Sequence, residues 1–419
     1  MTYSVLIHRY FYIWALFLPI TSFLILPSVQ GTTIAYVFAL FSILVVLIGS
    51  VFRERTYMNH LIIFLSLYVL VYFMSQFGLL YSRSVNLSGI VLIDPDSDGL
   101  FFRSSSITQS IYLFSGALTF FFAKSFYKQS WDRYIFLGAL IIAFYGLYEV
   151  TYFQLFHTNG DFISNRMFGE HSGSWFQTTQ VGALTIERLK SLTGEPSMAA
   201  FTLLPYWIYA LHKRRTKTQL VLLLSLLLTT STTAYIGIIL YGACVLFFFR
   251  FEDKFNASLP IFSLILGLIL YNPISNYVKL FVLDKFFTNN VSGTERQNSL
   301  DIHLDFYNHL PFINKLFGIG FGVIRSTDMF STLLVNIGLI GVLLFSLIFL
   351  LPLLKLERTY ENKGIKILLI VLYVTMMMAV SEFAYLPTWL FLGIAYNKLL
   401  NQNKNVDGVR INGNAKSLY

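Results

Sequence analysis

Long apolar runs separated by shorter polar segments make up most of this chain. A run of about 20 residues has the length at which an α-helix crosses the hydrocarbon layer of a bilayer. We therefore predict an all-α polytopic membrane protein with about twelve transmembrane helices, the seventh short enough to be tilted or broken. The predicted spans are 10–29, 32–52, 59–81, 106–123, 134–156, 196–212, 218–231, 233–249, 257–272, 329–352, 365–383 and 385–400.

The basic residues predict how these spans are oriented. Alternate connections carry 20 of the 30 lysines and arginines, and the positive-inside rule places such connections in the cytoplasm. Both termini are then cytoplasmic, which agrees with an even number of spans. The 20 residues are Arg9, Arg53, Arg55, Lys124, Lys128, Arg133, Lys213, Arg214, Arg215, Lys217, Arg250, Lys254, Lys355, Arg358, Lys363, Lys366, Lys398, Lys404, Arg410 and Lys416.

The amino-acid composition restricts which partners, metals and cofactors the protein can bind. The chain is 56% hydrophobic and 12% charged, and its net charge of +9 is explained by membrane topology, so we expect no nucleic-acid partner. The single cysteine, Cys244, excludes an intrachain disulfide and a cysteine-based metal site. Residues 94–99 resemble the start of a calcium loop but lack its later glutamate, and the histidines lack metal-ligand spacing. We predict no metal and no cofactor.

Three long connections, 82–105, 157–195 and 273–328, fall on the predicted outer side. We expect them to form a cap on a single transmembrane domain, residues 1–400, with 401–419 as a cytoplasmic tail. Within the third connection, Thr294 and Gln297 are typical of a capping box, which predicts a short amphipathic helix ending at Pro311. Arg296 would lie in its first turn, where the helix dipole disfavours a cation, so we expect an anionic partner.

One stretch combines opposite charges at the mouth of a predicted span. Arg188 is followed by Gly194-Glu195-Pro196-Ser197, which leads into the sixth span. Further along come the hydroxyl run Thr229–Thr233, then Arg296, the glycine run Gly318–Gly322, and Asp328 before Asn336–Gly341. In this order and spacing, over roughly residues 185–345, the motifs resemble those of bacterial O-antigen and exopolysaccharide polymerases, within the O-antigen ligase-polymerase superfamily.

The resemblance implies a GT-C-like, multi-pass glycosyltransferase that is not known to require a metal. It would join undecaprenyl-diphosphate-linked repeat units into a surface polysaccharide on the outer face of the bacterial inner membrane. Its implied partners are those lipid-linked glycans, membrane lipids, and chain-length regulator and flippase proteins. The superfamily's ligases resemble one another in a His-Asn pair where this chain has Thr327-Asp328, so the polymerase branch is favoured and the ligase is kept as an alternative.

The chemistry of such a transfer assigns roles to the charged residues. Arginine pairs bidentately with phosphate oxygens, so a diphosphate leaving group calls for arginines. We predict catalytic roles for Arg188, Glu195, Arg296 and Asp328. Substrate-binding roles fall to Arg166, Lys190, Ser197 and Arg325.

Ordinary structural roles compete with these assignments. Asp328 has the type and position of a helix N-cap, and Arg188 and Lys190 suit lipid headgroups or structural pairs. Glu195 lies where the helix dipole stabilises its anion and weakens it as a base, so it would orient a hydroxyl or an arginine. Glu149, inside the fifth span, either faces the same polar cavity or extends toward the interface.

A lipid-linked oligosaccharide flippase or other transporter with about twelve spans is the remaining alternative. Such a protein should show internal repeats, charges at the bilayer midplane or paired interrupted helices. Here the charge is concentrated in the connections on the predicted outer side, which favours chemistry at that surface.

Overall fold

The computed structural model describes residues 3–416 except 28, 30, 51–54, 83–84, 86, 88, 96–100, 169–170, 173–175, 182–183 and 250–290. The described part is mostly α-helical. Its helices are α1 Tyr3–Phe17, α2 Ile34–Ser50, α3 Arg55–Ser82, α4 Ser104–Phe126, α5 Asp132–Phe156, α6 Pro196–His212, α7 Thr216–Leu228, α8 Thr232–Phe249, α9 Val291–His309, α10 Phe312–Phe317, α11 Met329–Lys355, α12 Tyr360–Ala379 and α13 Leu386–Lys416.

Helices of membrane-spanning length are present among the described residues. By length and composition, five can cross a bilayer: Tyr57–Leu80, Ser104–Phe126, Gln129–Phe156, Met329–Lys355 and Tyr360–Ala379. Shorter apolar helices occur in α2, α7 and α8. The chain is therefore consistent with a helical membrane protein. The predicted ninth span, 257–272, lies outside the described residues, and twelve crossings and a GT-C-like architecture remain predictions.

The bounds predicted for the first span are wrong. Helix α1 ends at Phe17, and the described residues that follow it in the predicted span form a loop. Pro19 explains this difference, because it has no N–H to donate and disfavours helical backbone at Leu18. The loop is bound to the centre of the fold, since the backbone N–H groups of Thr21 and Ser22 both donate to the Leu192 carbonyl, at 2.9 and 3.1 Å.

Helix α6 lies at the centre of the bundle. Every side chain from Ala199 to His212 is buried, as expected for a helix that is apolar on all faces. It packs against α5, α7, α8, α12 and α13. Pro196 occupies its first position, where a missing N–H and a fixed φ are tolerated. The stretch singled out in the sequence thus leads directly into the core helix.

The second long connection contains two hairpins of short strands, β1 Met167–Phe168 with β2 His171–Ser172, and β3 Thr178–Val181 with β4 Leu184–Glu187. In the second hairpin, Thr178 pairs with Glu187 and Val181 with Leu184. Strand β4 therefore ends immediately before Arg188 and fixes the direction in which the chain leaves the hairpin.

The predicted helix of the third connection is present as α9, but its predicted start is wrong. The described helix runs from Val291, so Thr294 lies inside it and Arg296 is in its second turn. Helix α9 packs on α11, with Leu304 and Tyr307 against the core. It ends at His309, two residues before Pro311, as expected.

Helix α11 is interrupted at Gly338, whose φ and ψ are +67° and −173°. The interruption leaves some carbonyl groups of α11 without a hydrogen bond inside the helix. Backbone N–H groups of the glycine run between α10 and α11 donate to these carbonyls. Ile319 N–H donates to the Val335 carbonyl and Gly320 N–H to that of Asn336, both at 3.0 Å. The Asn336 amide oxygen accepts from Val323 and Ile324 N–H at 3.1 and 3.0 Å. This loop is thereby fixed beside the broken helix.

Candidate functional site

A polar cavity of about 680 Å³ lies beside the starts of α6, α8 and α11, the side of α9 and the end of α12. We call it the cationic cavity, because three arginines from distant parts of the sequence line it. Its wall is formed by Val91, Gln177, Arg188, Glu195, Pro196, Ser197, Met198, Ser231, Thr232, Arg296, Ser299, Arg325, Ser326, Thr327, Ala379, Val380, Ser381 and Glu382. Five of the eight predicted site residues are therefore brought to one hollow.

Arg188 is held firmly at this cavity. Its Nε donates to the Thr230 hydroxyl at 3.0 Å and the Thr229 carbonyl at 3.3 Å, and Nη1 donates to the Gln177 side-chain oxygen. The hydroxyl run therefore forms a turn that orients Arg188. Burial lowers the pKa of Arg188, while the nearby Glu195 carboxylate acts in the opposite direction. The two charged groups are thus within electrostatic range of each other.

Glu195 is the N-cap residue of α6, yet its side chain makes no capping hydrogen bond to the helix backbone. Instead, its carboxylate accepts from the Ser197 hydroxyl, and both residues line the cavity. The side chain is half-buried. The carboxylate therefore does not cap the helix backbone. It lies at the wall of the cationic cavity, where a ligand hydroxyl can reach it.

The other two arginines approach from the third connection. Arg296, on α9, is half-buried and forms no hydrogen bond or ion pair with any residue that the structure describes. The expected anionic partner of Arg296 is thus not found in this part of the chain. Arg325 is more exposed and pairs with Glu382. The helix α9 is tied to the start of α11 by the 3.1 Å contact between the Ser299 and Ser326 hydroxyls.

Three helix N-termini converge on the same cavity. Pro196 and Ser197 begin α6, Thr232 begins α8, and Thr327 lies just before the cap of α11. A helix N-terminus carries a partial positive charge, which favours anions. The N-terminus of α6 has no side-chain cap, whereas Thr233 N–H of α8 donates to Ser231 and Ser331 N–H of α11 to Asp328. Together with the three arginines, they make a site suited to a multiply charged anion, with Glu195 and Glu382 on its wall.

Asp328 is not brought into the cavity. It is 6% exposed and caps α11, accepting from the Ser331 N–H and hydroxyl, each at 2.7 Å, and from the Ser326 hydroxyl at 3.2 Å. Both carboxylate oxygens are thus occupied within the fold. Of the two roles considered for this residue, the geometry matches the helix cap, and a catalytic role has no support in its placement.

Lys190 also lies away from the cavity, in a buried group of charges that we call the carboxylate cluster. Its Nζ is 2.8 Å from a Glu149 oxygen, 3.1 Å from Asp161 and 3.9 Å from Glu187. Glu149 also accepts from the Ser191 N–H at 2.8 Å. Glu149 thus neither lines the cavity nor extends toward the interface, because its partners Lys190 and Ser191 lie inside the fold.

Three buried carboxylates share the single lysine of this cluster, so their negative charges are only partly compensated, as the pKa of Glu187 shows. Burial raises the pKa of Glu187 to about 7, with Lys190 opposing the shift and Asp161 adding to it. Among the described residues, no group of histidine, cysteine, aspartate or glutamate side chains is arranged to hold a metal ion. The ion pairs of Lys190 with Glu149 of α5 and with Asp161 hold the chain next to Arg188 in place.

Arg166 lies beside the cavity and is not part of its wall. Its Nη1 donates to the Thr21 carbonyl at 3.3 Å, and its backbone N–H to the Ser22 carbonyl at 3.0 Å. These bonds hold the loop between α1 and α2.

Sequence reasoning missed Glu382 and Gln177. The predicted span 365–383 includes Glu382, but α12 ends at Ala379 and residues 379–382 form part of the cavity wall. The presence of a glutamate at the end of an apolar run could have indicated Glu382 from the sequence. No sequence pattern indicates Gln177, because its role depends on the hairpin that brings it to Arg188.

Comparison of the chain with protein-family models, with curated proteins and with solved structures finds no match.

Proposed function

We propose that this protein is a glycosyltransferase that polymerises lipid-linked oligosaccharide units into a surface polysaccharide. The observation that carries the proposal is the cationic cavity, where Arg188, Arg296 and Arg325 meet three helix N-termini and two carboxylates. A diphosphate is the anion that matches this arrangement, because arginine forks and helix N-termini both bind phosphate oxygens. The sequence motifs that resemble those of O-antigen and exopolysaccharide polymerases support the same conclusion.

In the proposed reaction, a hydroxyl oxygen of the acceptor sugar attacks the anomeric carbon of the donor sugar. The bond from that carbon to the diphosphate oxygen breaks, and the diphosphate leaves with the electron pair. The arginines stabilise the negative charge that develops on it, which is the main catalytic demand of this step. Glu195, at the N-terminus of α6, orients the acceptor hydroxyl, and Glu382 is the carboxylate of the cavity wall available to receive its proton.

The donor and product would remain attached to undecaprenyl diphosphate on the outer face of the bacterial inner membrane. In the orientation predicted from the basic residues, the cavity opens outward and both termini are cytoplasmic. A flippase and a chain-length regulator act as partners. The concentration of basic residues on the opposite connections supports this assignment.

Substitution of the cavity arginines tests the assignment. We expect Arg188→Ala and Arg296→Ala in the native host to leave the amount of protein in the membrane unchanged and to reduce the surface glycan to single repeat units, because charge on the leaving group is no longer stabilised. Gel analysis of the glycan measures this. Arg215→Ala, at an exposed position beyond the other end of α6, is the matched control and should retain long chains. Long chains in both cavity variants would refute the proposal.

A second candidate is transport of lipid-linked oligosaccharide, favoured by the interruption of α11 at Gly338, since broken helices are common in transporters. Gene deletion separates the possibilities. Loss of the ladder with one attached repeat unit indicates polymerase, and a ladder that is made but not attached indicates ligase. Accumulation of lipid-linked units on the cytoplasmic side indicates a transporter.

A further inference from the structure

The wall of the cationic cavity includes a pair of serines to which the proposed reaction assigns no role. Ser299 lies on α9 and Ser326 on the loop before α11, and both residues line the cavity. Their hydroxyl oxygens are 3.1 Å apart, so one hydroxyl donates a hydrogen bond to the other. Ser299 is half-buried and Ser326 is buried, so Ser299 is the more accessible of the two from the open space.

The carboxylate behind these serines fixes the direction of their hydrogen bonds. The Ser326 hydroxyl is 3.2 Å from Oδ2 of Asp328, and a carboxylate has no hydrogen to donate, so Ser326 is the donor. A hydroxyl has a single hydrogen, so Ser326 accepts at its contact with Ser299, and Ser299 donates. Both hydrogens therefore point inward along the row Ser299, Ser326 and Asp328, and lone pairs of the Ser299 oxygen are left for the cavity.

The start of α11 holds this row in place. Asp328 also accepts from the Ser331 N–H and hydroxyl, each at 2.7 Å, so both of its oxygens have fixed partners. The Ser326 N–H donates to the Thr332 hydroxyl at 3.0 Å, and that hydroxyl donates to the Asp328 carbonyl at 2.8 Å. These hydrogen bonds keep the carboxylate and the Ser326 hydroxyl facing each other.

The direction of the hydrogen bonds decides which ligand group this part of the wall can bind. A phosphate oxygen needs a donor, which the serine pair does not present, whereas a sugar hydroxyl can donate to the Ser299 oxygen. Arg296 is three positions before Ser299 on α9, so the Cβ atoms of the two residues are neighbours, about 5–6 Å apart. A diphosphate bound by Arg296 therefore places the sugar attached to it beside the serine pair.

We propose that Ser299, Ser326 and Asp328 form a hydrogen-bond acceptor site that recognises a free hydroxyl on the donor sugar next to the diphosphate. The inference rests on the proposed function and deepens it, because it assigns part of the sugar specificity to this wall. Asp328 is a positioning residue, since it acts through Ser326 and does not line the cavity. A sugar whose hydroxyl at this point is acylated or alkylated has no hydrogen to donate and is disfavoured.

The test measures binding of two lipids to the full chain in lipid nanodiscs: undecaprenyl diphosphate, and undecaprenyl diphosphate that carries the repeat unit, prepared from membranes of the native host. Ser299→Ala removes the accepting oxygen. It should weaken binding of the repeat-unit lipid about threefold to tenfold, the value of one neutral hydrogen bond. Binding of undecaprenyl diphosphate should be unchanged, which also shows that the variant is folded.

Asp328→Asn tests the positioning role. Asparagine caps a helix about as well as aspartate. Its oxygen is needed by the Ser331 N–H, so its NH₂ group faces Ser326 and donates to it. The serine hydrogens then turn toward the cavity, and binding of the repeat-unit lipid should weaken as in Ser299→Ala. A residue that only capped α11 would leave this binding unchanged.

Ser331→Ala is the matched control, because it removes a hydroxyl donor to the same Asp328 oxygen and Ser331 does not line the cavity. It should bind both lipids as wild type does. Unchanged binding of the repeat-unit lipid in either Ser299→Ala or Asp328→Asn, or weaker binding of undecaprenyl diphosphate in Ser299→Ala, would overturn the acceptor site alone. Binding of undecaprenyl diphosphate that Arg188→Ala does not weaken would overturn the proposed function itself.

Discussion

Arg188 and Lys190, two positions apart in the chain, lie in opposite environments. Arg188 is directed to the cationic cavity by the threonine turn and Gln177, whereas Lys190 is directed inward to the carboxylate cluster. Both side chains are fixed by hydrogen bonds, but only Arg188 keeps donor groups beside open space. The hairpin sets the direction of the chain at Glu187. The carboxylate cluster holds the residues on either side of Arg188, and its own side chains do not line the cavity.

Replacing Glu187 with glutamine should change how stability depends on pH. The pKa of Glu187 is raised to about 7 from an ordinary value of 4.5, so the folded state retains a proton that the unfolded state has lost between these values. Wild-type stability should therefore be greatest below about pH 4.5, decrease as the pH rises to about 7, and then become constant with respect to this group. Thermal unfolding from pH 5 to 8 should show a smaller decrease for Glu187→Gln.

The matched control for this prediction is Glu357→Gln, since Glu357 is exposed. Its thermal stability should follow the pH dependence of wild type. If Glu187→Gln and wild type show the same dependence, Glu187 does not carry the retained proton.

At the scale of elements, the interruption of α11 is stabilised by the glycine run. A side chain at Gly338 would place its Cβ 2.4 Å from the Leu316 backbone, and one at Gly318 would be 2.3 Å from that of Asn336. The two segments approach so closely because both glycines lack a Cβ. This packing fixes the start of α11 beside the cavity.

We expect Gly338→Ala to disrupt this element. The φ of +67° costs a non-glycine residue about 1–3 kcal/mol, and the overlap with Leu316 adds to that cost. The variant should give less monodisperse protein and a lower unfolding temperature by fluorescence-detected size exclusion. Gly242→Ala is the control, because nothing lies within 4 Å of its added Cβ and alanine favours a helix. Equal yields and stabilities for the two would contradict the packing described.

At the scale of the whole molecule, α6 connects the cavity to the opposite end of the bundle. Thr327 lines the cavity where α6 begins, and exposed Arg215 follows the helix's last residue by three positions. Since α6 has 17 residues, the two ends are about 25 Å apart. The proposed orientation puts Thr327 outside the cell and Arg215 inside.

Cysteine labelling tests this orientation. Cys244, the single native cysteine, is first replaced by alanine, and the thiol is then introduced by Thr327→Cys or Arg215→Cys. A membrane-impermeant maleimide should label the first variant in intact cells, and the second after the cells are opened. The opposite pattern would place the cavity on the cytoplasmic side and exclude polymerisation at the outer surface.

The sequence by itself determined the helical membrane character and many of the helix positions, because runs of apolar residues reflect the cost of exposing backbone polar groups to lipid. It also indicated Arg188, Glu195, Ser197, Arg296 and Arg325, which are now found around one cavity. Such residues stand out because charge at the end of an apolar span is costly without a partner or a ligand.

Only the tertiary structure decided which charged groups face the cavity and which support it. Asp328 and Glu195 both precede helices, but hydrogen bonds from Ser326 and Ser331 bury the first, while Ser197 leaves the second at the cavity wall. Lys190 and Glu149 are 41 positions apart and pair within the fold, and Glu382 reaches the cavity because α12 ends early. These differences depend on contacts between distant segments, and local sequence patterns do not specify such contacts.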